Sequence, residues 1–320
     1  MNNPFIKKMY YAMTLDPVHV GTGGYRLGRV DNTITREPGT NLPKIPGSSI
    51  AGVTRSYTAM HPEVDRFPAC AGISEKKKSS HCGQPNCPVC VGFGFSKGTI
   101  NQSFQGMAQF SDAKLLFFPV HSMLGPVWIT SQSILREHEI SIELSDWKKF
   151  RSFGPSCPEH KLNLGWLMLE QEGTVTELLN NHFSQVPKDI RERVLLVSDK
   201  IFSRVINDNL EVRTSVAIDP NTGAAEEGAL FTYEAIPRAT ILWFDITYNK
   251  PEKFRIGDQV ILLPPLTNIQ DPFGRTGPID QAGYLATYVE KGLDYIEALG
   301  VGGMSTRGFG RAKIIHGGAI

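Results

Sequence analysis

Short runs in which aromatic and β-branched residues alternate with polar ones dominate both ends of the chain. KKMYYAMTLDPVHVG, GMAQFSDAKLLFFPVHS and PVWITS lie early, ATILWFDITYN and FGRAKIIHG late, and each predicts a strand. Twice the pattern lengthens to helical spacing. PGSSIAGVTRSYTAMHP opens on Pro46, Gly47 and a serine suited to capping, and Pro62 must stop it. In DQAGYLATYVEKGLDYIEALG, Leu285, Tyr288, Val289, Leu293 and Ile296 share one face before glycine ends the helix. Strand, helix, strand pair, helix, strand is a ferredoxin-like order, so one α+β domain over residues 1–320 is expected.

Two segments interrupt that order. Residues 61–100 carry four of the five cysteines, and 135–210 are polar and predicted to be helical. RTSVAIDPNTGAAEEGALFTYEAI reads instead as two alternating runs around a DPNTG turn. It predicts a β-hairpin within 211–238, long enough to project from the body.

Composition narrows the function classes only locally. With 33 Lys+Arg against 32 Asp+Glu, no global charge advertises a polyanionic partner. The first sixty residues, however, hold seven basic side chains against three acidic ones, and the last twenty hold Arg307, Arg311 and Lys313 with no acid. If the two ends meet, they form one positive surface. No apolar stretch approaches a membrane span or a signal-peptide core, so a cytoplasmic protein without a membrane partner is expected. Disulfides are then disfavoured, and the crowding of Cys70, Cys82, Cys87 and Cys90 points to metal. Cys87-Pro-Val-Cys90 is a C-x2-C knuckle, Cys82 precedes it by four intervening residues, and Cys70 supplies a fourth thiolate, with His81 or His61 as substitutes. The expected ion is a structural Zn²⁺, preferred over four free thiols because a small insertion with little core needs such a staple.

The loop GVGGMSTRGFGR, residues 300–311, sets five glycines beside Arg307 and Arg311. It lacks the GK[ST] of a P-loop, and Ser305 stands where a GxGxxG motif needs its last glycine. What remains is backbone that can approach a phosphate closely, with arginines next to it. LPKIPGSS repeats that chemistry as a helix start flanked by Lys44, with Arg55 two turns inside. In LGRVDNTITREP, Asp31 is a lone acid between Arg29 and Arg36: either a turn residue or a group facing something the arginines hold. His19 in DPVHVG is a general-base candidate or a satisfied strand histidine, and Tyr233-Glu234 offers a ring and a second acid or plain surface alternation. Cys157 and His160 have no orienting partner nearby, so no nucleophilic dyad is expected.

HVGTGG, GRVDNTITREP, PKIPGSSIAG, FSDAKLLFFPVHS, GPVWITS, AIDPNTGAAEEGALFTYEAIP and GGMSTRGFGRAKI together resemble the backbone subunit of type III CRISPR ribonucleoprotein effectors, of the RAMP superfamily. The likeness runs from about residue 10 to 315 and is strongest to the Cmr-module (type III-B) subunit; VDN and the cysteine insertion are also similar to the Csm-module subunit. The resemblance implies a modified RRM-like fold with a zinc-binding insertion and a thumb hairpin. It further implies copies of itself polymerised along a crRNA, target RNA as substrate, and other type III subunits as partners. It places crRNA phosphates against Arg29, Arg36, Lys44, Ser48, Ser49, Arg55, Gly302, Gly303, Arg307, Gly308 and Arg311. It makes Asp31 the residue that cleaves target RNA, aided by Mg²⁺ or another divalent cation, and more loosely associates His19, Tyr233 and Glu234 with that step. A hydrated cation on Asp31, or proton transfer from a 2′-OH, would leave a 2′,3′-cyclic phosphate and a 5′-OH. The competing expectations are a binding-only backbone subunit and a metal-independent crRNA-processing endoribonuclease with His19 as base.

Overall fold

The computed structural model describes residues 3–23, 30–72, 81–96, 102–154, 160–175, 178–266 and 269–319. Arg29 and Cys157 therefore lie outside the described residues. The chain opens with β1 (Phe5–Thr14), α1 (Gly47–Met60) and α2 (Pro88–Phe93). β2 (Ala108–Phe110), β3 (Lys114–Ser122) and β4 (Gly125–Ser131) follow. Next come α3 (Gln132–Glu137), β5 (Lys149–Ser152), β6 (Lys161–Leu164), β7 (Leu167–Thr174), α4 (Leu178–His182), α5 (Lys188–Arg191), β8 (Val194–Val197) and α6 (Asp199–Asp208). The rest comprises β9 (Glu211–Ile218), β10 (Ala225–Ala235), β11 (Ile241–Asn249), β12 (Arg255–Ile256), β13 (Gln259–Val260), α7 (Gln281–Asp294), α8 (Ile296–Leu299) and β14 (Ala312–Ala319).

One sheet organises the molecule, with strand order β14-β1-β11-β3-β4-β8-β5-β7-β6 and β2 paired to β11. β1 lies antiparallel between β14 and β11, so Tyr10 faces Phe244 on one neighbour and His316 on the other. The two ends of the chain thus meet. Leu285, Tyr288, Val289 and Leu293 form the buried face of α7, and Ile296 continues that face from α8. Asp280 caps α7 by accepting from the Gly283 N–H at 2.8 Å. α1 crosses α7 at Gly292, where a Cβ would sit 2.6 Å from Thr54 O and against Thr58 Oγ1. Only glycine permits that approach.

Beneath α7 lies a buried polar network. Lys8, 3% exposed, bonds Glu290 Oε1 at 2.7 Å, and Tyr10 donates to the same oxygen at 2.7 Å while bonding Tyr248 at 2.8 Å. His316 Nε2 reaches Asp294 Oδ1 at 2.9 Å, and its other ring nitrogen is 3.5 Å from Glu290.

Two local expectations need correction. Residues 135–210 are not a helical insertion: β5, β6, β7 and β8 extend the main sheet, interspersed with short helices. Gly165 at φ +64° closes the β6–β7 hairpin and sets Leu162 opposite Leu169, so polarity there marks solvent-facing strand positions. Nor does a serine cap α1. Pro46 holds the cap position, and Asp112 Oδ1 accepts from the Gly47 N–H at 2.8 Å from across the fold. β9 and β10 form a two-stranded sheet apart from the main one, with Val212, Val216, Ile218 and Leu230 exposed. No described helix is long and apolar enough to cross a membrane.

Candidate active site and metal centre

Where the β9–β10 hairpin joins the body, its second strand meets the loop that carries Asp31. Asn32 N donates to Thr232 O and Glu234 N to Asn32 O, each at 3.0 Å. This short pairing carries the acid into place. Asp31 Oδ2 accepts from the Thr232 N–H at 2.8 Å and from its hydroxyl at 2.7 Å, and the Asp31 N–H returns a bond to Thr232 Oγ1 at 2.9 Å. The backbone bond from Thr232, followed by the hydroxyl bond, holds the carboxyl below its ordinary range. Asp31 is therefore an ionised, half-buried carboxylate fixed through one oxygen.

His19 packs behind it, 8% exposed, with Nδ1 2.6 Å from Glu234 O and the ring edge-on to Tyr233 at 5.6 Å. A carbonyl only accepts, which assigns the proton to Nδ1 and leaves Nε2, facing Gly21, as the basic nitrogen. Glu234, expected as a second acid, is not available as one. Its Oε2 accepts from the Ile34 N–H at 3.1 Å and its Oε1 from Arg36 Nη2 at 2.6 Å, at 8% exposure. Alternation along β10 turns it inward. Arg36 is consumed by the same arrangement, donating also to Asn207 Oδ1 at 2.9 Å and Ile34 O at 3.0 Å, so it braces the loop rather than waiting for a phosphate.

The glycine loop folds over His19. Gly303 N donates to His19 O at 2.9 Å, and Gly302, at φ +88°, lies so close that a Cβ would strike the same carbonyl oxygen. Gly308 O accepts from Arg213 Nη1 at 3.3 Å, and that guanidinium stacks on Phe309 at 4.9 Å, tying the loop to β9. Arg307 is exposed and has no side-chain partner among the described residues. Arg311 instead forms a double contact with Asp16, at 2.5 and 3.1 Å. Glycine loop, His19, Asp31 and hairpin base are thus linked in one continuous set of hydrogen bonds.

The start of α1 is less open than expected. Lys44 Nζ is 2.6 Å from Asp112 Oδ2, and the other oxygen of Asp112 occupies the Gly47 N–H. Ser48 is exposed and Ser49 half-buried at that end. Arg55 points elsewhere altogether, donating to Cys70 O at 2.9 Å and Phe93 O at 3.4 Å and contacting His81 Nδ1 at 2.9 Å. Its expected contact with a phosphate is therefore corrected: every one of these bonds is internal.

Cys70, Cys82, Cys87 and Cys90 converge, all four sulfurs lying within 4.8 Å of one another. Cys82 to Cys90 and Cys90 to Cys70 measure 3.7 Å, Cys87 to Cys70 4.0 Å. A zinc–sulfur bond of about 2.3 Å places tetrahedral sulfurs about 3.8 Å apart, so the spacing fits one metal ion. Cys87 caps α2 and Cys90 lies in its first turn, which is how the C-x2-C spacing aims two sulfurs at one point. His81 and His61 lie outside the cluster: His81 meets Arg55, and His61 lies against Tyr295 at 5.8 Å.

Asp112, Thr232 and Arg213 escaped the sequence reading. Nothing near them in the chain marks them, because their partners stand far away in sequence.

A sequence profile of the RAMP superfamily matches residues 11–313. The chain is 27% identical over 250 residues to the CRISPR system Cmr endoribonuclease Cmr4 of Pyrococcus furiosus, covering 72% of this chain and 77% of that protein. In fold it is similar to a chain of the type III-B Cmr-beta complex bound to cognate target RNA, with TM-score 0.62, 15% identity and coverage of 97% and 96%. Oligomeric Cmr4 from Pyrococcus furiosus gives TM-score 0.57 at 18% identity, covering 98% of each chain.

Proposed function

The chain belongs to the RAMP superfamily, and on that premise we propose that it is the repeating backbone subunit of a type III CRISPR effector, binding crRNA and cutting complementary target RNA at regular intervals. The observation that carries this reading is the bonding of Asp31 to Thr232, which fixes an ionised acid at the base of a projecting hairpin. Its sequence kinship to an endoribonuclease of the Cmr system supports the same assignment.

On this reading the core strands and helices β1, α1, β3, β11, α7 and β14 form the modified RRM-like unit, and β9–β10 is the thumb. Guide phosphates run along the glycine loop, where Arg307 is free to pair with them and Gly302, Gly303 and Gly308 allow close approach. The thumb bends the guide–target duplex, releasing one target ribose from A-form stacking. Its 2′-oxygen, on giving up its proton, attacks the adjacent phosphorus, and the 5′-oxygen departs and takes a proton from water, so the products are a 2′,3′-cyclic phosphate and a 5′-OH. Asp31 either takes the 2′-OH proton or holds the water shell of a divalent cation through its second oxygen. Mg²⁺ or a similar ion supplies charge neutralisation at the phosphate. With Glu234 locked to Arg36, the donor set suits one hydrated ion and not a two-metal site. His19 and Tyr233 position the loop and thumb base against each other.

The four cysteines hold a structural zinc, closed to substrate because all four positions are filled by protein. The protein works in the cytoplasm, as several copies along one crRNA with other type III subunits. The test is direct. Asp31→Ala assembled with crRNA and partner subunits should bind complementary RNA normally and fail to cut it; unchanged cutting removes Asp31 from the chemistry. Chelation of divalent ions should stop the wild-type complex, whereas persistence would refute the cation requirement.

A further inference from the structure

Four thiolates around one dication leave two surplus negative charges. Cys70, Cys87 and Cys90 are fully buried, where an uncompensated charge is costly. Among the described residues, a cation reaches this cluster from the body of the fold. Arg55, on α1, donates to Cys70 O, to Phe93 O just beyond Cys90, and contacts His81 beside Cys82. The three contacts use Nε, Nη1 and Nη2, a spread of donors over three nitrogens that a single ammonium nitrogen does not offer. The next residue of the helix, Ser56, adds a bond to Ala71 O at 3.3 Å.

We infer that Arg55 is the positioning residue of the metal centre: its guanidinium balances the tetrathiolate and fastens the cysteine segment to α1, so that metal binding and seating of that helix are one event. The inference rests on the zinc reading above. It also gives α1 two anchor points, because Asp112 holds the Gly47 N–H at its start while Arg55 binds the cysteine segment from its middle. Loss of the metal is then felt at the helix whose first turn flanks the proposed crRNA path.

The full-length chain tests this without any cleavage assay. Co²⁺ substitution reports the tetrahedral tetrathiolate by its absorption spectrum, and competition with a chromophoric chelator gives the Zn²⁺ affinity. Arg55→Met should bind Zn²⁺ roughly tenfold to a hundredfold more weakly than wild type, as supporting partners of metal ligands commonly do. Arg55→Lys should recover part of that loss, since it keeps the charge without the fork. Should Arg55→Met not fold, Arg55→Gln, neutral but still able to donate, carries the same comparison. Wild-type affinity in the neutral variants overturns the role of Arg55 while leaving the zinc reading intact. A lysine variant as weak as the methionine one refutes charge balance. A wild-type chain that takes up no stoichiometric metal removes both the zinc reading and this inference.

Discussion

A threonine governs the acid. Thr232 uses its N–H and its hydroxyl on one oxygen of Asp31 and accepts the Asp31 N–H in return, so loop and thumb base share a closed ring of three hydrogen bonds. Thr232→Val keeps the shape and the backbone bond but deletes the hydroxyl. The acid then loses one of the two donors on that oxygen, and misplacement of a catalytic group is felt directly in rate. Single-turnover cleavage should therefore slow about tenfold or more with target binding unchanged, and an unaltered rate would show that the hydroxyl does not set the position of Asp31. Asp31 stood out in the sequence because it is an acid among arginines. Its holder did not, since β10 must first be in register with a loop 201 residues away. A separation of 198 residues likewise hid the Arg36–Glu234 pair, which turned an expected acid and an expected phosphate ligand into mutual partners.

Among elements, the α1–α7 crossing is the tightest test of packing. Gly292→Ala would press a methyl group against Thr58 and the Thr54 carbonyl, and overpacking of this kind costs about 1–3 kcal/mol. Thermal melting should show the variant destabilised by that order; wild-type stability would mean that the two helices can separate freely. Strands with strong aromatic and β-branched alternation, such as β1, β3 and β11, were legible because one face must be buried. The segment 135–210 was not, for its strands are four to eight residues long, three of them partly solvated and β8 a short apolar run, patterns with too few periods to distinguish from helix. The cysteine cluster was legible from spacing alone. That Arg55 reaches it was not, because a helical arginine looks the same whether it faces solvent or the carbonyls of a distant loop.

At the scale of the molecule, the network beneath α7 makes stability depend on alkaline pH. Hydrogen bonding to Asp294, then to Glu290, raises His316 to about 9, with Lys8, Tyr10 and Tyr248 on the same cluster. The unfolded chain has an imidazole near its ordinary value of about 6.5. A folded value above the unfolded one stabilises the protonated fold, fully below about pH 6.5, and that contribution disappears as pH rises through about 9. Melting temperature should fall across this window in the wild type and fall less in His316→Gln; parallel curves would dissociate the network from stability. The hairpin has a consequence of another kind. It is bonded to the body at the very residue that grips Asp31, so the wedge and the blade of the proposed nuclease are one rigid tool. A chain built this way needs no separate measuring device: on that reading, the distance between successive cuts is the stride from one copy to the next.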